Sequence, residues 1–330
     1  MLLEAGGSAH AVKTYMQKLA GHLGIDRQET AMTLNSLITT SYTGHEFRTE
    51  VLEIPGVGVN ATITHDAQHY LSELPPTADA QEVNENFDRI QHAPPPYPKA
   101  ITALAAGVAC MGFDFLGGGR WLELAVVFAS ALVGFLIQSS LLARIHNKFG
   151  VWMASSAFTA LFFMLLSLTV EVLFNVPPGH HAGIIAATLF LFPGVAMVTS
   201  VAEIVNQEYS MGSTRAMFAI TLISAAVASL WLLLQFLEWQ LSATPAYEIP
   251  TPALLPLQAL ATFAAATGFA IIFKTPLRIA FFAGAIAAFA NVLRLHLFVD
   301  ALGPALAAGA SALIMGLLAA LVARVTHQSQ

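Results

Sequence analysis

Two hydropathy regimes divide the chain. Up to about residue 96 apolar positions recur at helical or alternating spacing; beyond it they run together in stretches near the roughly 20 residues that a bilayer-crossing helix needs. Within the first regime, Val12, Met16, Leu19 and Leu23 share one face of a helix predicted over Ala9 to Leu23, and Gly24 stops it. Thr33 to Thr43 is rich in β-branched residues and predicts a strand. Arg48–Ile54 and Val57–Thr64 alternate on either side of Pro55-Gly56, which predicts a hairpin. A helix is expected over Ala67–Leu74. Another should start at Asp79, where Asp79-Ala80-Gln81-Glu82 has the form of a capping box, and run to about Gln91. Pro94-Pro95-Pro96-Tyr97-Pro98 forms a stiff linker.

The second regime contains eight apolar stretches, at about 100–117, 121–143, 150–174, 182–203, 216–238, 254–273, 277–296 and 303–324. Their dividers are polar or helix-breaking: Gly117-Gly118-Gly119, His146-Asn147-Lys148, Pro177-Pro178-Gly179, Asn206-Gln207-Glu208, Pro245 to Pro252, Lys274-Thr275-Pro276, and Asp300 to Pro304. Small residues are frequent inside, as in Ala283 to Ala290, which suits close helix packing in lipid. The expected fold is therefore an α-helical polytopic membrane protein of about eight transmembrane helices, preceded by a small N-terminal α/β domain.

Composition strengthens this division. Of 330 residues 56% are apolar and 10% charged, against about 25% charged in an average soluble domain. Residues 1–99 carry 12 acidic and 6 basic side chains; the remaining residues carry 8 of each. A net charge of −6 lacks the basic footprint of a nucleic-acid binder, so no nucleic-acid partner is expected. The single cysteine, Cys110, excludes an internal disulfide. The opening Met1-Leu2-Leu3-Glu4 lacks the basic and apolar regions of a signal peptide.

Placing residues 1–99 in the cytoplasm puts Lys99, Arg144, Lys148, Arg215, Lys274, Arg278 and Arg324 on cytoplasmic flanks and only Arg120 and Arg294 on outer ones. That asymmetry obeys the positive-inside rule and predicts both termini in the cytoplasm of a bacterial-type inner membrane. A weak repeat is also visible. Thr267-Gly268-Phe269-Ala270 followed by Lys274-Thr275-Pro276 echoes Ala106-Gly107 through Phe113-Asp114 and the triple glycine. A repeat unit of five helices would invert the second copy, a common plan of secondary transporters. The expected parts are residues 1–95, a first membrane repeat at 96–245, and a second, three-helix and incomplete, at 246–330.

Several short motifs, weak singly, follow one another in a specific order. They are Glu4-Ala5-Gly6-Gly7-Ser8-Ala9 leading into a helix that ends Leu23-Gly24-Ile25, Pro96-Tyr97-Pro98, Gly117-Gly118-Gly119, Phe192-Pro193-Gly194, Ser210-Met211-Gly212 through Arg215, and Phe269 to Phe273 with Pro276. On these motifs the chain resembles the threonine/serine exporter family, whose split relatives are associated with dicarboxylate export. The resemblance implies a cytoplasmic N-terminal domain, ten membrane helices in two halves, and export of small hydrophilic solutes driven by an ion gradient. Against that pattern the chain reads as shortened at both ends, which makes a partner membrane subunit or a second copy an expected partner.

Pro193-Gly194 lies about halfway along the fourth stretch, near the bilayer midplane. Proline removes one intrahelical bond, so a break there would free the amides of Gly194, Val195 and Ala196. Such a half-helix N-terminus suits a substrate carboxylate, with Thr199 and Ser200 on the same half-helix; the plainer reading is a kink repaired by neighbours. Ionisable groups inside spans are candidates in their own right. Asp114 and Glu203 are the candidate proton-coupling carboxylates. Asn291 and Arg294 could bind an anionic substrate group, or Arg294 could pair with Asp114. Glu123, Glu171 and Glu238 near span ends read as snorkelling groups. His65-Asp66-Ala67-Gln68-His69 resembles a zinc-protease helix, but has Asp where the base would be Glu and no third ligand, and His180-His181 reads as an ordinary loop pair.

The leading expectation is a secondary transporter, and not an enzyme, exporting threonine, serine or similar small amino acids on the proton gradient, with no cofactor and no metal. Alternatives are a dicarboxylate exporter of the succinate type, one subunit of a two-part exporter, and a membrane-anchored hydrolase with its chemistry in residues 1–99.

Overall fold

A computed structural model of the chain describes residues 1–54, 56, 58–74, 79–175, 183–239 and 251–325. Pro55 and Val57, the divider Pro177-Pro178-Gly179, His180-His181 and residues 245–250 of the expected linker lie outside the described residues. In chain order the elements are α1 (Ala9–His22), β1 (Arg27–Met32), β2 (Ser36–Thr43), β3 (Glu46–Glu53), α2 (Ala61–Ser72), α3 (Ala80–Gln91), α4 (Lys99–Leu116), α5 (Trp121–Leu142), α6 (Lys148–Phe174), α7 (Gly183–Ala187), a 3-10 turn at Leu189–Leu191, α8 (Gly194–Val205), α9 (Tyr209–Phe236), α10 (Thr251–Ile272), α11 (Leu277–Leu293), a π turn at Arg294–Phe298, α12 (Val299–Leu302) and α13 (Pro304–Val325). They form two compact units. One is built on Met1–Pro96 with Pro193–Ile220, the other on Tyr97–Phe192 with Thr221–Val322.

In the first unit, Ser8 caps α1 by accepting from the Ala11 amide at 3.3 Å, and Gly24 leaves the helix at φ +75°. The sheet is an antiparallel meander in the order β1-β2-β3. Leu3, Ala9, Val12, Met32 and Leu37 are buried together with Met211 of α9. A second small core joins Leu74 and Val83 with Leu19, Tyr70 and Phe87.

The hairpin differs from the one expected. Arg48–Ile54 does lie largely in a strand, but β3 pairs backward with β2 around Gly44, whose amide donates to Asp26 Oδ2 at 2.7 Å. Of the supposed partner strand over Val57–Thr64, residues 61–64 instead form the first turn of α2. Asn60 caps that helix by accepting from the Ile63 amide, so α2 starts well before Ala67, and Ala67 and Leu71 are buried one turn apart. The β-branched run Thr62-Ile63-Thr64 gave the false strand signal; the cap decides. The strand expected over Thr33–Thr43 begins at Ser36, because Thr33 closes a turn onto Ser36. Strand β1 escaped notice because Arg27-Gln28-Glu29-Thr30 is polar on both faces. Helix α3 occupies its expected span, but Asp79 makes no side-chain capping bond.

In the second unit α4 packs on α5 and α10, α5 on α6, and α10 on α11. Helices α4 and α10 run antiparallel at very close range. A Cβ on Gly112 would stand 2.7 Å from the Ala261 carbonyl oxygen and 3.0 Å from Ala265 Cβ; one on Gly268 would stand 2.7 Å from the Ala105 carbonyl oxygen and 3.0 Å from Ala109 Cβ. Each member of the first contact lies 156 residues from its counterpart in the second (112 to 268, 105 to 261, 109 to 265). The turns that follow obey the same interval. The amides of residues 117, 118 and 119 donate to carbonyls 113, 115 and 114; those of 273, 274 and 275 donate to 269, 271 and 270. Gly118 sits at φ +95° and Lys274, at the matching position, at φ +58°.

Among the described residues, seven helices are long and apolar enough to cross a membrane, one of them continuous from Leu277 through the π turn to Leu302. The eighth expected span, at 182–203, is not a continuous helix. It divides into α7, the 3-10 turn and α8, and the described apolar piece Leu189–Val205 is shorter than a span. Val172, Trp231 and Phe236 remain exposed on the long helices, surfaces that a bilayer would cover.

Candidate functional site

Helix α8 begins at Gly194, with Pro193 as its first flanking residue and no side-chain cap. The Met197 amide reaches the Pro193 carbonyl at 3.1 Å, so the three donors before it, on Gly194, Val195 and Ala196, form the open helix end. The hydroxyls expected to serve this end are already engaged. Thr199 Oγ1 donates to the Val195 carbonyl at 2.8 Å, and Ser200 Oγ to the Met197 carbonyl at 2.7 Å.

The other end of α8 carries an ion pair that the sequence reading did not foresee. Glu203 Oε1 accepts from Arg215 Nη2 at 3.1 Å and from the Ala9 amide, at the start of α1, at 3.2 Å. The same guanidinium donates to the carbonyls of Gly6 and Gly7 and to Thr199 Oγ1, at 3.3, 3.1 and 3.2 Å. Lys13 and Glu208 add a second pair at 2.5 Å. Both Glu203 and Arg215 are buried. The chain folds back at Asn206-Gln207-Glu208, between the 12-residue α8 and the 28-residue α9, and this sets Glu203 beside the Met211–Arg215 turn.

In the second unit Asp114 lies near the end of α4, 5% exposed, with Oδ2 lacking a partner among the described residues. A Cβ on Gly119 would overlap its carboxyl group. That close fit explains part of the triple glycine. In the matching turn Ala270 replaces Asp114, and Thr275 is tolerated where Gly119 stands. Asp114 interacts electrostatically with Glu123. Glu123 is buried rather than snorkelling: it accepts from the Gly183 amide at 2.9 Å and from the Arg120 amide at 3.4 Å.

Arg294 does not pair with Asp114. Its Nε donates to Asn291 Oδ1 at 2.8 Å, and Asn291 Nδ2 donates to Thr262 Oγ1 at 2.7 Å. His296 Nε2 meets Gln258 Oε1 at 2.8 Å. Arg294 has no acidic partner among the described residues. Arg294 and His296 both lie in the π turn, a widened turn that often marks a functional position. Thr262, Gln258 and His296 went unremarked in the sequence because single polar residues interrupt an apolar run without a pattern.

The sequence pattern described as "Putative threonine/serine exporter" matches residues 1–237. The chain belongs to the threonine/serine exporter family. It is similar to the "Probable succinate transporter subunit YjjP" of Escherichia coli (strain K12), with 26% identity over 216 residues, 65% of this chain and 82% of that one. The protein of the same description from Klebsiella aerogenes is 24% identical over 216 residues, 65% of this chain and 81% of that one. No solved structure matches.

Family and fold together point to a multi-pass membrane transporter. For an exporter-family chain the features of interest are the breaks and charges inside apolar helices. The family match spans Asp114, Glu123, α8 and Arg215, whereas Asn291 and Arg294 lie beyond it. His65 and His69 stand one turn apart on α2, ring centroids 6.4 Å apart, and His69 faces Glu73. Among the described residues no group of three potential ligands surrounds a metal site.

Proposed function

We propose that the protein exports small carboxylate-bearing solutes, threonine and serine first, from the cytoplasm across a bacterial inner membrane, driven by the proton gradient. The observation that carries this reading is the interruption of the fourth apolar stretch at Pro193. Three backbone donors at the start of α8 stand inside a sequence apolar enough for lipid. Unsatisfied amides in hydrocarbon cost several kcal/mol each. A substrate carboxylate would satisfy them and meet the positive end of the helix. Asp114 is the leading proton carrier, since a buried carboxyl whose Oδ2 has no partner among the described residues can take a proton and lose its charge. Glu203 is the weaker candidate, because its Oε1 is already engaged by Arg215 and the Ala9 amide.

The paired contacts of α4 and α10 support an inverted repeat, with α4, α5 and α6 matched by α10, α11 and α13. Counting Arg215 as a buried partner leaves six basic residues on the cytoplasmic flanks against two outside, which still supports cytoplasmic termini. A second reading, export of a dicarboxylate such as succinate, is favoured by the names of the relatives and by Arg294, a membrane-helix cation with no acidic partner among the described residues. The relatives are named as subunits, which supports a partner membrane protein. Inside-out vesicles loaded through this chain with labelled threonine, serine or succinate, with and without a proton gradient, test both readings. Gradient-driven uptake of none of the three would reject them.

A further inference from the structure

Strand β3 is eight residues long and exposed along its whole length. It forms one edge of the meander, whereas the other edge, β1, packs on α1. Its side chains include Phe47, Val51 and Leu52, which are 70%, 64% and 53% exposed. The register with β2 places Phe47, Thr49 and Val51 on one face beside Tyr42, Thr40 and Ile38, and Ile38 is itself exposed. An open edge of this length carrying large apolar side chains is a pairing template that soluble domains normally blunt. Here no proline interrupts it.

We propose that β3 pairs antiparallel with β3 of a second copy of this chain, joining two three-stranded sheets across a two-fold axis at Thr49. The charges select the partner and the register. Two identical strands can place side chains on matching faces only in registers centred on a residue. Two such registers pair seven of the eight positions, one centred on Thr49 and one on Glu50. The second sets Glu50 against its own copy, a like-charge contact that destabilises a sheet. The first sets Arg48 opposite Glu50 twice, Phe47 opposite Val51 twice, and Thr49 opposite Thr49. Opposite charges, an aromatic facing a β-branched residue, and paired threonines are the favoured cross-strand neighbours. Arg48 and Glu50 already meet within the strand at 2.7 Å on a largely exposed surface, so the same charges are available to a facing strand. Confinement of both copies to one bilayer raises their effective concentration, so a modest interface suffices.

Single-cysteine cross-linking of the full chain in native membranes tests this. The only native cysteine, Cys110, is buried and can be replaced by alanine to clear the background. Thr49→Cys, on the two-fold axis, should form a disulfide-linked dimer upon mild oxidation, at least fivefold more than Glu29→Cys on the β1 edge. Adding either Arg48→Glu or Glu50→Arg should reduce that dimer severalfold, and the double charge swap should restore it. The proposal is overturned if Thr49→Cys stays monomeric while reacting freely with a soluble maleimide, the behaviour of an open edge. It is equally overturned if the double swap, present at normal abundance in the membrane, fails to restore the dimer.

Discussion

Arg215 Nη2 lies 3.1 Å from Glu203 Oε1, and both side chains are almost completely shut off from solvent, at 1% and 0% exposure. The pair ties α8 to the start of α9, and through the carbonyls of Gly6 and Gly7 and the amide of Ala9 it also holds the segment that opens α1. A compact N-terminal domain and the half-helix α8 therefore belong to one unit. The network is incompletely satisfied, because Arg215 Nε and Glu203 Oε2 have no partner among the described residues.

That incompleteness gives a stability prediction. Removing one member of a buried ion pair strands the other charge, at about 3–5 kcal/mol. Glu203→Ala and Arg215→Ala should each lower the unfolding stability of the purified chain by about that amount. The double change Glu203→Leu with Arg215→Met should lose far less, since apolar residues of similar volume need no partner. Thermal unfolding in detergent distinguishes the outcomes. Equal losses in singles and double would mean that packing, and not charge, holds the site.

The turn after α4 offers a swap experiment. Asp114 fills the space in which a Gly119 side chain would stand, and the matching turn carries Ala270 and Thr275 instead. Gly119→Thr alone should displace the Asp114 carboxyl and destabilise the chain. Asp114→Ala combined with Gly119→Thr copies the second turn and should recover most of the stability. Unfolding measurements on the three variants check this; a double variant as unstable as Gly119→Thr would show that the turns are not interchangeable.

The α4–α10 contact predicts matched costs. Gly112→Val and Gly268→Val each drive a side chain into the backbone of the facing helix, where small residues allow the close approach. Both should cut the yield of folded protein by similar factors. Gly309→Val, in a helix position where a side chain would meet nothing within 4 Å, should be nearly neutral. Folded yield after size-exclusion in detergent provides the comparison.

The long apolar helices were legible because membrane insertion is written in composition, and α4, α5 and α6 begin and end within two residues of their expected bounds. The break at Pro193 was legible because proline leaves little choice. The meander was not, since β1 is polar on both faces and α2 hides a β-branched run behind its Asn60 cap. The Glu203–Arg215 pair was invisible for a different reason. Each residue alone resembles a flanking charge, and only the fold-back of α8 on α9 reveals that they neutralise one another. The paired turns were half legible: Gly268-Phe269 echoes Gly112-Phe113, but Asp114 and Ala270 differ, and their contrast acquires meaning only once Gly119 is seen against the carboxyl.

The proposed transport chemistry separates into binding and coupling, and one substitution addresses each. Gly194 opens α8, where a small residue leaves the donors of Gly194, Val195 and Ala196 accessible. Gly194→Leu would crowd that approach while retaining a good helix former, so folding and membrane insertion should persist and export should be lost. Asp114→Asn keeps the size of the side chain and its contact with Gly119 but removes the titratable proton. Export should then continue down a solute gradient and cease to respond to the proton gradient. Both variants are read in the same vesicles with labelled threonine, serine and succinate, alongside the abundance of folded protein. Normal export by Gly194→Leu would move the binding site away from α8. Undiminished gradient dependence in Asp114→Asn would move the coupling group to Glu123, the other buried carboxyl beside that turn.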